Sequence, residues 1–264
     1  MLSDEELEEL ETIKNKNLEI LNKLPLEAKK KYYEWRLAAL TYNSNAIEGS
    51  TLSLEETAAI LFEGIAPKGK TIREIKEAEN HKKALEYMLS YDRDLSLNFI
   101  LKLHKIISTG ILENKYAGKL RDVQVFVRGS EINPPPPEVV EMELKELLRW
   151  YHRNKQRYHP IVVASYFYIA FEGIHPFIDF NGRVGRLILN FILKKNFYPF
   201  ADIKVEDRIE YLKAINDGLK GDLRPFIKLL IKCLRTSPQP QDGLWGNFCR
   251  KYLIKEEESE HHKA

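Results

Sequence analysis

The chain has 264 residues, with 41 basic and 39 acidic side chains, 44% apolar residues and 11% aromatics. That size fits one large domain or two small ones, and apolar residues spread along the whole length exclude sustained disorder. A formal net charge of +2 carries no polyelectrolyte signal, so neither nucleic acid nor an anionic membrane is an expected partner, and function must come from a local constellation.

Helical periodicity runs through most of the chain. It predicts an amphipathic helix from Ser3 to Leu24, a second from Leu26 to about Asn45, and further helices near Leu54 to Phe62, Ile72 to Ser90 and Leu95 to Ile107. Ser53-Leu-Glu-Glu56 reads as the capping box of the third. Val123-Gln-Val-Phe-Val127 breaks the period: a β-branched, apolar run followed by Arg128-Gly-Ser130 reads as a small hairpin whose edge can pair with an extended peptide. Four prolines, Pro134 to Pro137, then force extended backbone. Beyond them come helices at Val139 to Tyr151, Ile161 to Gly173, Arg183 to Lys195, Val205 to Lys220 and Pro225 to Leu234. The expected fold is an all-α bundle with a small β-hairpin flap. Residues 1–92 form an N-terminal helical region, 93–236 a core, and 237–264 a tail that opens with the linker Ser237 to Asp242.

Cys233 and Cys249 are too few to staple the chain and no secretory leader opens it, so a reducing cytoplasm and free thiols are expected. Apolar stretches such as Ile161 to Phe171 fall short of the ~20 residues of a membrane span. His261 and His262 read as tail residues rather than metal ligands.

Two segments suggest phosphate binding. Gly64-Ile-Ala-Pro-Lys-Gly69-Lys70-Thr71 matches the P-loop pattern, but a P-loop must leave a buried strand, and here a helix runs up to Gly64 while Pro67 removes one N–H from the loop. A helix-ending Gly/Pro loop is the better reading, with an NTPase as its rival. The second segment is His175-Pro-Phe-Ile-Asp179-Phe-Asn181-Gly182-Arg183-Val-Gly185-Arg186. Its imidazole ends an apolar helix at a proline, and Asp179 offers the hard oxygen that magnesium takes. Asn181 and Gly182 lead into a helix start, an anion site by virtue of its free N–H groups and dipole. Arg183 and Arg186, three apart, share one face there.

This segment resembles the Fic family motif H-P-F-x-[DE]-G-N-G-R-x-x-R, with similarity extending over roughly residues 40 to 234. The resemblance implies a protein adenylyltransferase that moves AMP from Mg-ATP to a Ser, Thr or Tyr hydroxyl of a protein, itself included. It implies His175 as general base and Asp179 as magnesium ligand. It further implies Asn181, Gly182 and Arg183 as phosphate contacts, and Arg186 as the grip on the γ-phosphate. The hairpin (Val123, Gln124, Val125, Phe126, Val127) would be the target-docking flap, and Tyr211 a wall for the adenine. Ser44-Asn-Ala-Ile-Glu48-Gly49 is similar to the family's inhibitory pattern [ST]-x-x-x-E-[GN]. Ser44 and Glu48 share a helical face and Gly49 suits a left-handed cap, so by this analogy Glu48 pairs with Arg186 and brakes transfer. In some relatives that glutamate also serves AMP removal, and relatives with an N-terminal brake often form homodimers.

The chain departs from the pattern at Phe180, where the family has glycine. If this position has positive φ, the aromatic residue is strained by ~1–2 kcal/mol. Leu219 stands where some relatives place Asn against the base. Both departures keep alternatives open: transfer of another nucleotide or phosphoryl group, or a nucleotide-binding pseudoenzyme.

Overall fold

A computed structural model describes residues 2–23, 25–127 and 131–236 of the protein. Ten α-helices carry the chain among these residues, and none of the described residues lies in a strand. They are α1 Asp4–Lys23, α2 Leu26–Ile47, α3 Leu54–Ala58, α4 Ile72–Ser90, α5 Leu97–Ser108, α6 Pro137–Asn154, α7 Pro160–Ile174, α8 Asn181–Lys195, α9 Arg208–Leu219 and α10 Arg224–Arg235. The expected helices are therefore present. The linker at 237–242, Cys249, His261, His262 and residues 128–130 lie outside the described residues.

Local chemistry sets the helix ends. Ser53 and Glu56 form a capping box at α3, and Thr71 and Glu74 form another at α4. A turn of π-helix, Ala59–Glu63, extends α3 and ends at Gly64 with φ 68°. Proline opens the first turn of α6, α7 and α10, where a missing N–H costs nothing. These boundaries decide the first phosphate candidate. Thr71 caps α4, and Lys70 donates to Thr51 O at 2.6 Å and pairs with Glu56 at 3.1 Å. The Gly/Pro loop thus joins two helices, and no strand among the described residues feeds it.

One apolar cluster reaches from Leu10 to Leu234. Its centre is the pair α7 and α8, with Phe167, Phe171, Val184, Leu187 and Phe191 all buried. Leu40 and Ile47 of α2 and Met88 of α4 belong to it, so the N-terminal region and the core share one interior. Among the described residues no helix is long and apolar enough to cross a membrane.

The hairpin expected at residues 123–127 is not present as paired strands. The return arm expected at Glu131 and Ile132 is not strand either; it is short and runs directly into the prolines from Pro134, and an isolated two-stranded hairpin is marginal in water. Side chains hold the segment instead. Gln124 Nε2 donates to Pro134 O at 3.1 Å. The buried Arg121 donates to Val123 O, Pro135 O and His175 O at 3.0, 2.5 and 2.9 Å, while its own N–H reaches Pro176 O at 3.0 Å. One guanidinium therefore ties this loop to the turn after α7. Arg121→Ala should lower stability by about 2–4 kcal/mol, since several buried carbonyls lose their donor at once. A urea midpoint that falls with unchanged slope is the expected result.

Candidate functional site

The site forms where α7 ends and α8 begins. His175 caps α7 in the left-handed region (φ 49°), and Pro176 turns the chain away. The His175 Nδ1 lies 3.3 Å from Glu172 O. A carbonyl can only accept, so this contact places the proton on Nδ1 and leaves the lone pair on Nε2. Burial, with help from the Arg121 charge, pushes the imidazole down to about 4. It is neutral at physiological pH, with the Nε2 lone pair unprotonated.

The turn from Pro176 to Phe180 is closed by Asn181, whose side chain accepts from Phe177 N at 2.9 Å and donates to Phe177 O at 2.8 Å. Asn181 thus shapes the loop with its side chain, and its backbone is what remains for an anion. Phe180 has φ 69° and ψ 11°, the positive φ at which an aromatic residue is strained. No side chain caps α8, so its first N–H groups stay free of such a partner. Asp179 accepts from Phe180 N at 2.6 Å and lies 3.1 Å from Arg73 and 3.4 Å from Arg183. Glu77 completes the group at 2.8 Å from Arg73 and 3.2 Å from Arg183. Four charges of alternating sign close a ring around the start of α8.

Arg186 is buried one turn further along, and its donors are almost fully engaged. Nε donates to Ser44 Oγ at 3.0 Å, Nη2 to Ser44 O and to Glu48 Oε1 at 2.8 Å each, and Nη1 to the Tyr211 hydroxyl at 2.8 Å. Ser44, Glu48 and Arg186 are therefore in direct contact. Glu48 is delivered by a Schellman ending of α2: Gly49 (φ 100°) donates to Ala46 O, and Ser50 to Asn45 O, each at 3.0 Å. Partial burial would raise the Glu48 pKa, but Arg186, Arg183 and Arg208 outweigh it and hold the carboxyl below its ordinary value. On the far side of Arg186, burial and the two arginine charges push His81 down to about 3, so no second cation faces it.

Tyr211, expected as an adenine wall, is a holder of Arg186. Its ring is 2% exposed, and its hydroxyl also meets that of Tyr168. Leu219 packs on Gly173, whose missing Cβ would lie 2.8 Å from the leucine. The structure also brings in residues that no motif announced: Arg73 and Glu77 from α4, Arg121, Tyr168 and Glu172. Glu172 is nearly buried beside both Arg186 and His175, with Oε2 4.0 Å from Nδ1 and Oε1 without a hydrogen bond. The two helix glycines explain how carboxylates come so close. A Cβ at Gly182 would sit 2.5 Å from Glu48 Oε1, and one at Gly185 2.8 Å from Glu172 Oε1.

The Fic/DOC family model matches residues 94–193, which contain this turn and both arginines. The solved structure of a glutamate-to-glycine variant of a Caenorhabditis elegans Fic-1 fragment has a TM-score of 0.76 at 30% identity, covering 88% of this chain and 70% of that one. The chain belongs to the Fic/DOC family. The protein adenylyltransferase Fic of Nematostella vectensis is 34% identical over 197 residues, 73% of this chain and 45% of that protein. For protein adenylyltransferase fic-1 of Caenorhabditis elegans the values are 36% over 208 residues, 76% and 40%. The chain thus spans less than half the length of these curated Fic relatives.

Burial raises the Glu172 carboxyl from 4.5 to about 7, against the attraction of Arg186. The folded protein therefore keeps this proton where the unfolded chain has released it. The resulting stabilisation is complete below about pH 4.5 and disappears as pH climbs to about 7, a change of about 3 kcal/mol. Glu172→Gln cannot ionise, so urea unfolding at pH 5 and pH 8 should show the variant losing less stability than the wild type. Equal losses would remove Glu172 as the source.

Proposed function

We propose that the chain is a protein adenylyltransferase that transfers AMP from ATP to a Ser, Thr or Tyr hydroxyl, with pyrophosphate as the leaving group. The observation that carries this reading is a neutral His175 set beside an uncapped helix start that bears Arg183 and Arg186. Its relatives bear the name protein adenylyltransferase.

In the proposed reaction His175 Nε2 takes the hydroxyl proton as the oxygen attacks the α-phosphorus. The new O–P bond forms as the bond to the β-phosphate oxygen breaks, and the pair leaves with pyrophosphate. Free N–H groups of α8, Arg183 and Arg186 stabilise charge on the phosphates, the electrostatic contribution that dominates such transfers. Asp179 would hold Mg2+; a single carboxylate beside an anion site suits an ion that takes its other ligands from water and phosphates. Bound there, magnesium neutralises phosphate charge. Residues 93–236 supply this core and residues 1–92 the brake.

Glu48 is the brake because it holds the Arg186 Nη2 that a γ-phosphate needs, and Gly182 gives it room to lie against the helix start. The other partners of Arg186 are fixed parts of the fold, so Glu48, at a helix end and partly exposed, is the one that can leave. The same carboxylate beside His175 also suits a water-positioning role in AMP removal. For docking, residues 123–127 offer extended backbone that no strand pairs among the described residues, and Phe126 is 77% exposed. Beside them runs a groove of about 610 Å³ lined by Ile132, Pro135, Trp150 and Tyr166 among others. A target strand pairing there would gain proximity with little side-chain readout.

Glu48→Gly should strongly increase AMP incorporation, read by intact mass after incubation with magnesium and ATP. Incorporation no higher than in wild type would sink the brake. In that background His175→Ala should reduce transfer ~10²- to 10⁴-fold while nucleotide binding persists. Retained turnover would assign the proton transfer to another group. Phe180 standing where the family has glycine keeps one rival open, transfer of a different nucleotide, and the added mass tells the two apart.

A further inference from the structure

Phe180 is an outlier that calls for an explanation. A bulky residue in the left-handed region persists only when its surroundings over-determine it, and such strain gathers at functional sites. Here the surroundings are specific. The ring is 2% exposed. One face lies under the Arg183 guanidinium, whose carbon sits 3.9 Å from the ring centroid. To the side is the ring of His104 at 6.4 Å, edge to face, and His104 is itself stacked on Phe177 at 3.8 Å and 2°. Burial pushes His104 down to about 4, so this neighbour is neutral and does not compete for the π-face.

Arg183 needs such a support. It is 4% exposed, and its Nε and Nη1 are buried without a hydrogen bond. The Glu77 carboxylate balances its charge from 3.2 Å, and Nη2 makes a long contact of 3.4 Å with Asp179. Ionic partners balance the charge, but they leave the guanidinium plane poorly fixed because few directional bonds hold it. A ring face 3.9 Å away restricts that plane, and a desolvated cation–π contact is at the strong end of its range.

We infer that Phe180 is the positioning residue for Arg183: its ring, held in place by a left-handed backbone and His104, fixes the guanidinium at the anion site of α8. The inference deepens the adenylyl-transfer reading and rests on it for the identity of the anion. It also gives the departure from the glycine pattern a physical use. The strain at position 180 is exchanged for order at residue 183.

The test compares Phe180→Tyr, Phe180→Leu and Phe180→Gly in the Glu48→Gly background. Three quantities are measured: KM and kcat for self-modification with MgATP, calorimetric MgATP affinity, and the side-chain proton shifts of Arg183. Phe180→Tyr keeps the π-face and should stay close to the parent. Phe180→Leu keeps apolar volume without the quadrupole, and Phe180→Gly removes the strain together with the ring. Both should raise KM and the dissociation constant for MgATP about 3- to 30-fold, with a smaller effect on kcat. Both should also abolish the upfield ring-current shift of the Arg183 δ-protons. Affinities within twofold of the parent in Leu and Gly, or unchanged Arg183 shifts, overturn the inference. If Leu fails to fold, the Tyr and Gly pair still decides. If the parent incorporates no AMP, adenylyl transfer fails, while the Arg183 shifts still judge Phe180 separately.

Discussion

The buried guanidinium of Arg186 is the constraint on which the site depends. It joins three elements: Ser44 and Glu48 from α2, its own helix α8, and Tyr211 from α9. Burial alone would lower its pKa, but Tyr211 and Glu48 more than compensate, so the charge is held firmly. A buried cation must have partners or the fold does not form, and three of its four observed hydrogen bonds go to groups fixed by packing. The fourth goes to a carboxylate at a helix end. Structure and exchangeability are thus divided between the two ends of one side chain.

The sequence Gly182-Arg183-Val184-Gly185-Arg186 contains a compact solution to placing charge inside a core. With a period of three, each arginine is preceded by a glycine whose missing side chain admits a carboxylate: Glu48 at Gly182 and Glu172 at Gly185. Alanine at either place would push an oxygen away by steric overlap. Arg186 then neutralises Glu48, while burial raises the Glu172 carboxyl to about 7. Glu77 and Asp179 repeat the logic for Arg183 from the outer side, where solvent weakens the Arg73 contacts.

How much of this could be read in advance follows from sequence separation. The helices were legible because their apolar spacing and capping boxes are local, and Ser53 with Glu56 is an instance. His175, Asp179 and both arginines were legible because one turn and one helix start present them in twelve consecutive residues. Arg121 lies 54 residues from the carbonyl of His175 that it binds, and Arg73 lies 106 from Asp179, so no local pattern could join them. The hairpin is absent from the described residues for the converse reason. Residues 123–127 have strand propensity, but pairing is a property of both arms, and the other, Glu131 and Ile132, is two residues long before Asn133 and the prolines. The orientation of Tyr211 was not legible either: its ring is buried and its hydroxyl satisfies the Arg186 guanidinium, a contact 25 residues away in the chain.

Near-neutral overall charge conceals how uneven the interior is. Around α8 the cations Arg73, Arg183, Arg186 and Arg208 face Glu48, Glu77 and Asp179, with the Glu172 carboxyl raised to about 7 and so only partly ionised near neutral pH. Leaving Glu172 aside, these groups carry one more positive than negative charge while Glu48 is in place. Were Glu48 to swing into water, Arg186 would keep only neutral hydrogen-bond partners beside it, and the uncapped N–H groups of α8 would add their partial charge. A desolvated cavity in that condition favours a polyanion over a single carboxylate, because several phosphate oxygens reach Arg183, Arg186 and the helix start together. The raised Glu172 carboxyl then has a consistent place: the loss of Glu48 removes a like charge that raises its pKa, so Glu172 ionises more readily as the cavity becomes more positive. One buried carboxyl in this way limits the charge swing that displacing the other would cause.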